Sequence, residues 1–162
     1  MATRDEALAA LLSLDPTPVF AESYRNKRLP ESLEIYFGPP EEFFLAGDTQ
    51  SPYTDGRLIP ILDDGNFGIV TFLDPESRTL VQKAAESPFD EYARLHNWQQ
   101  YLGALVINIA ESIDDDEQLR VMSDLVGYRY FDETLNLLDG LENAPHEGYH
   151  RAKASFLASL RA

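Results

Sequence analysis

The residue spacing most suggestive of chemistry is His146-Glu147-Gly148-Tyr149-His150. It fits HExxH, in which two histidines one helical turn apart bind zinc and the glutamate polarises a metal-bound water. Two neighbours oppose that chemistry. Pro145 before the motif and Gly148 inside it make a poor helix interior, whereas two imidazoles on one metal need a rigid helix. A third protein ligand is also needed, and residues 151–162 contain no His, Asp or Glu. The competing expectation is a helix start with His146 and Glu147 as exposed first-turn residues.

Acidic clusters offer a second chemistry, the binding of a hard cation by carboxylate oxygens. In Asp114-Asp115-Asp116-Glu117 the acids are consecutive, so on a helix start they splay around the axis, and Asp114 with Glu117 has the spacing of a capping box. Asp63-Asp64-Gly65-Asn66 lacks the later acid that a calcium loop requires and reads as a turn. No GxSxG, GxGxxG or phosphate-cradling glycine loop occurs, and a serine nucleophile has only His96, His146 and His150 to serve as its base. We therefore assign no catalytic, cofactor or metal residues from the sequence. A small hydrolase using clustered carboxylates or zinc at the HEGYH motif stays open as an alternative.

Composition narrows the partners. Twenty-eight acids against thirteen bases give a net charge of −15, beyond the roughly 2–8 common for a small soluble domain. Such a field repels nucleic acid and anionic membranes and speeds encounter with a basic partner. The absence of cysteine removes disulfides and thiolate chemistry and fits a reducing, cytoplasmic setting. Met1-Ala2-Thr3-Arg4-Asp5-Glu6 places acids where a secretory leader needs apolar residues. The longest apolar run, 101–110, is about half of the ~20 residues that span a bilayer.

The elements that must hold these groups follow from periodicity. Three apolar or β-branched runs, 58–62, 68–73 and 79–83, are separated by turn-forming clusters at 63–67 and 74–77, which predicts an antiparallel meander over about 58–83. Before it, Thr3 and Glu6 have capping-box spacing, and Leu8, Leu11 and Leu12 share a helical face until Pro16. Residues 16–28 read as a polar linker whose basic cluster, Arg25-Asn26-Lys27-Arg28, is a solvated loop or helix end. Pro30 opens a helix toward Gly38, with a strand over 33–37 as the alternative; a further turn at 41–45 carries Phe43, Phe44 and Leu45 as core; and 46–57 is a polar loop bearing Tyr53.

After the meander, Ser87-Pro88-Phe89-Asp90 signals a helix start. A stripe of Leu95, Trp98, Leu102, Leu105, Val106 and Ile109 then extends it to about residue 113, with a break and a new cap at Asn97 as the variant, and Trp98 in the core. Such a helix is a natural cover for one face of the sheet. Helices over 117–126, 132–141 and 149–160 complete the chain. The class is α+β: a small antiparallel sheet packed against helices, with additional C-terminal helices. We expect one domain, made of an N-terminal helix and linker (1–28), a core (29–113) and a C-terminal extension (114–162).

The run Leu29-Pro30-x-x-Leu33-x-x-Tyr36-Phe37, followed by Ile59-Pro60-Ile61 with Asp64-Gly65-Asn66 and then a helix holding Trp98, resembles the SUKH superfamily. That family includes the fungal cell-wall-synthesis regulator and many bacterial immunity proteins that neutralise polymorphic toxins, often nucleases. The likeness covers about residues 29–111. Gly38-Pro39-Pro40 stands where the family often has a paired-glycine turn, and the helices after Asp114 lie outside the match. The resemblance implies a binding protein without catalytic residues. Acidity and resemblance together favour a protein-binding module for a basic, nuclease-type toxin, with Tyr53, Asp55, Asp63 and Asp64 as the partner contacts. A homo-oligomeric scaffold is the remaining alternative.

Overall fold

The fold is that of a computed structural model whose described residues are 1–25, 28–54 and 56–162. They form two compact units, Met1–His96 and Asn97–Ala162, so the boundary read at 113/114 falls inside the second.

The first unit is built on an antiparallel sheet in the order β1-β2-β3-β4, with β1 at Ile59–Asp63, β2 at Ile69–Leu73, β3 at Leu80–Ala84 and β4 at Ala93–Leu95. The meander is thus present, and a fourth strand extends it. Residues 87–95 are not helical: Leu95, Arg94 and Ala93 pair with Leu80, Val81 and Gln82. Pairing gives the exposed side of β3 its ladder bonds, and this outweighs the local helix signal at Ser87-Pro88.

Pro60 lies in β1, an edge strand, where its missing N–H costs no ladder bond. Ile61 is an extra residue there, because the register shifts between Pro60 and Leu62. Val70, Phe72 and Val81 share one face by strand alternation and cross-strand pairing, and Phe43, Tyr53 and Leu58 pack with them into a core to which Phe44 and Phe67 add. The opposite face presents buried Leu73, Leu80 and Leu95 in register.

The segments before the sheet follow the sequence less closely. Helix α1, Arg4–Leu12, carries the expected capping box: the Glu6 N–H donates to Thr3 Oγ1 at 3.1 Å and the Thr3 N–H donates to Glu6 Oε2 at 2.8 Å. Its buried face is Ala7, Ala10 and Leu11, while Leu12 faces solvent. The expected linker contains α2, Pro18–Ser23, because Pro18 suits a first helical position and Val19 and Phe20 have a core to enter. Of the basic cluster, Arg25 and Arg28 lie near Glu22 and Glu34 at 3.4 and 3.8 Å, and Asn26 and Lys27 lie outside the described residues.

Residues Pro30–Ile35 form a 3-10 turn with Glu31 and Ser32 in left-handed backbone, in place of the α-helix or strand expected there; Leu33 and Phe37 are buried and Ile35 is exposed. The turn α3, Glu42–Leu45, buries Phe43, yet Leu45 is 84% exposed and not core. One helical turn cannot direct three consecutive apolar side chains inward.

The second unit is helical: α4 at Trp98–Ala110, α5 at Asp116–Val126, α6 at Phe131–Gly140 and α7 at His146–Ser159. Asn97 caps α4, its Oδ1 accepting from the Gln100 N–H at 3.0 Å, so the break foreseen at Asn97 is where the helix begins. Trp98 is half-buried and stacks on Tyr101 with ring centroids 4.7 Å apart. The cap of α5 is Asp115, one residue later than expected, accepting from the Glu117 and Gln118 N–H groups at 3.1 Å each. Gly103 lets α7 approach α4, since a Cβ there would lie 2.8 Å from Leu157 Cδ2 and 2.9 Å from Leu160 Cδ1. Buried Gln99 and Gln100 donate to the carbonyls of Gly127 and Leu160 at 3.0 and 3.1 Å. Among the described residues no helix is long and apolar enough to cross a membrane.

Candidate protein-binding edge of the sheet

The β1–β2 connection, residues 63–68, is a closed hydrogen-bonded loop. Asp63 Oδ1 accepts from the Gly65 N–H at 2.9 Å, and the Gly68 N–H donates to Asp64 Oδ1 at 2.9 Å and to Asn66 Oδ1 at 3.1 Å. These are Asx turns, in which a short polar side chain replaces a backbone partner. Both aspartates therefore owe part of their residue type to turn geometry.

The loop is braced from below. The Asp63 N–H donates to the Gly38 carbonyl at 2.8 Å. Gly65 sits at φ +91° against the 30–37 segment, where a Cβ would lie 2.3 Å from the Ile35 carbonyl oxygen. Phe67, also left-handed at φ +61°, sends its ring inward onto Phe43, with centroids 4.9 Å apart.

This packing shapes the electrostatics. Burial pushes the Asp63 carboxyl up to about 6, with the nearby charges of Asp64 and Glu42 acting in the same direction, against the opposing hydrogen bonds from Gly65 and Phe67. Lys83, in the same cross-strand row as Asp63 through Val70, is engaged elsewhere: its Nζ donates to the Tyr53 carbonyl at 2.7 Å. The end of the sheet is thus a hydrogen-bonded loop whose Asp63 carboxyl feels the charges of two other acids.

The four residues read as partner contacts separate here. Asp63 and Asp64 lie together on the loop, each half-buried. Tyr53 is 8% exposed, with its ring 4.9 Å from Phe43 and 6.1 Å from Phe72, so its role in this structure is packing. A tyrosine in a polar loop reads as exposed until the aromatic cluster beneath it is seen. Asp55 lies outside the described residues. Glu42, which the sequence did not single out, joins the acidic group from α3; its position at the head of a helical turn was a visible sign only of capping.

The HEGYH motif lies in the other unit. Contrary to the expected weakness of Gly148, α7 runs through the motif from His146, with Pro145 just outside it at the cap. The imidazoles of His146 and His150 are 4.2 Å apart between centroids, and both residues and Glu147 are exposed, as a helix start requires. Tyr149 turns inward: its hydroxyl donates to Glu111 Oε1 at 2.7 Å, and burial followed by that carboxylate raises it to about 12. Lys153 Nζ stands 3.5 Å from the same oxygen. These groups border an open groove of about 700 Å³ lined by Leu138, Leu141, His146 and Tyr149 together with two carboxylates, Glu111, which is paired with Tyr149 and Lys153, and the exposed Glu142. Among the described residues no three His, Asp or Glu side chains converge as a metal ion would need.

Comparison of the chain with protein-family models, curated proteins and solved structures finds no match in any of the three.

Proposed function

We propose that this chain is a non-enzymatic protein-binding module that engages a basic protein surface through the acidic end of its sheet. Its biological role on this reading is that of an immunity protein neutralising a nuclease-type toxin, as the resemblance to the SUKH superfamily implies. The observation that carries the reading is the loop at 63–68, where turn hydrogen bonds hold the adjacent Asp63 and Asp64, the charges of Asp64 and Glu42 both act on the Asp63 carboxyl, and Lys83 of the same cross-strand row donates to the Tyr53 carbonyl. Like charges acting on one carboxyl oppose its ionisation, and a cationic partner relieves that cost on binding. A net charge of −15 steers such a partner over longer range and disfavours phosphate backbones.

The test is association of the full chain with the product of the neighbouring reading frame, followed by surface plasmon resonance at several salt concentrations. D63N/D64N keeps both turn acceptors and removes two charges. We expect a complex whose association rate falls with salt and drops about threefold or more in D63N/D64N. An association rate indifferent to both salt and the double substitution would overturn the reading.

A further inference from the structure

In a sheet ordered β1-β2-β3-β4 with every neighbour antiparallel, the β1–β2 and β3–β4 connections leave by the same end. Here the two are joined, since the Ala85 N–H donates to the Gly68 carbonyl at 2.9 Å. The second connection, residues 85–92, is ordered by backbone bonds from Ser87 to Ala84 at 3.0 Å, from Asp90 to Ser87 at 3.1 Å and from Tyr92 to Gln82 at 2.7 Å. Yet it holds two large side chains in solvent: Phe89 is 81% exposed and Tyr92 64%. Burying rings of this size recovers free energy that solvent exposure forgoes, and two of them on one short tied loop need a reason beyond folding.

Their surroundings name the partner. Residues 63–68 and 85–92 together contain five acids, Asp63, Asp64, Glu86, Asp90 and Glu91, and no Lys or Arg. Glu91 is held by Arg94 from β4, whereas Glu86 and Asp90 have no ion-pair partner among the described residues. Aromatic anchors ringed by charge are the usual anatomy of a binding hot spot. The negative ring disfavours a second copy of this edge, a nucleic acid and an anionic bilayer alike.

We propose that Phe89 and Tyr92 are the anchors of the binding edge and insert into an apolar cleft bordered by Lys and Arg side chains on a basic protein. This rests on the function proposed above and extends it by a second loop. In it the rings supply residence time and the carboxylates of both loops supply steering.

The test selects short random peptides displayed on phage against the full chain, and titrates the enriched sequences as synthetic peptides against wild type, F89A/Y92A and D63N/D64N. Both aromatic residues are exposed, so the variant should keep the wild-type circular dichroism and melting curve, and a variant that does not is replaced by F89S/Y92S. We expect enriched peptides that combine bases with apolar residues and bind F89A/Y92A about tenfold more weakly, mainly through faster dissociation. Basic peptides weakened by D63N/D64N but indifferent to F89A/Y92A would overturn the anchor assignment and leave the acidic-edge function standing. Peptides indifferent to both variants would overturn both, as would a selection yielding no binder. Enriched peptides without basic residues would overturn the basic partner even if F89A/Y92A weakened them.

Discussion

Asp63 sets the tone at the scale of single residues, because one side chain serves the turn and carries a charge its surroundings resist. Its folded-state carboxyl titrates near 6, above the ordinary aspartate value, chiefly through burial. The folded state therefore binds this proton more tightly than the unfolded state does, so stability falls as pH rises from about 4 to about 6 and stays reduced above. D63N keeps the acceptor for Gly65 and removes the charge. We expect a thermal midpoint at pH 8 about 2–4 °C above wild type, corresponding to about 1 kcal/mol once water access to the carboxylate is allowed for, and no gain at pH 4. A gain of equal size at both pH values would remove burial of charge as the cause. Gly65 gives the complementary case. G65A asks a Cβ to occupy a left-handed backbone 2.3 Å from the Ile35 carbonyl oxygen. Urea unfolding should show a loss of about 2 kcal/mol or more, larger than the about 1 kcal/mol expected of an ordinary glycine replacement at positive φ.

At the scale of elements, the stretch 87–97 shows how local signals are ranked. Ser87 and Pro88 have helix-start chemistry, but so does Asn97, and only the second start leaves Ala93, Arg94 and Leu95 free to complete the sheet. The Asn97 cap carries two bonds, its Oδ1 accepting from Gln100 and its Nδ2 donating to the Leu160 carbonyl at 3.0 Å. N97A should cost about 1–2 kcal/mol in urea unfolding, and N97S, which retains a cap acceptor but not the donor, should recover about half. Equal losses in the two variants would mean that the bond to Leu160, and not capping, holds this helix start. The helix α2 illustrates the opposite error: prolines at 16 and 18 look like a linker, yet Pro18 is the first residue of a helix that buries Phe20 against Phe37, with ring centroids 4.5 Å apart.

For the whole molecule, charge is the property that no single contact explains. With a net charge of −15, self-repulsion opposes the compact state, and mobile ions screen it. Raising sodium chloride from about 10 mM to about 0.3 M shortens the screening length from about 30 Å to under 10 Å. The thermal midpoint should rise over that range, by a few degrees, when followed by circular dichroism. A midpoint that falls would mean that surface ion pairs such as Arg4 with Glu41, 2.8 Å apart, outweigh the net repulsion. If the proposed binding of a basic partner holds, the same salt series should slow that association, so stability and binding should respond to salt in opposite directions.

By itself the sequence determined the α+β class, the three meander strands, the capping box of α1 and the acidic character of the surface. Each depends on residues close in the chain or on a simple count, and local chemistry suffices for them. Only the tertiary structure decided that β4 joins the sheet, that Tyr53 is core while Leu45 is not, and that the loop carrying Phe89 and Tyr92 leaves by the same end of the sheet as the loop carrying Asp63 and Asp64. Those outcomes turn on which distant segment supplies a hydrogen-bond ladder or an apolar wall. Periodicity reports which side chains share a face, not what lies opposite that face.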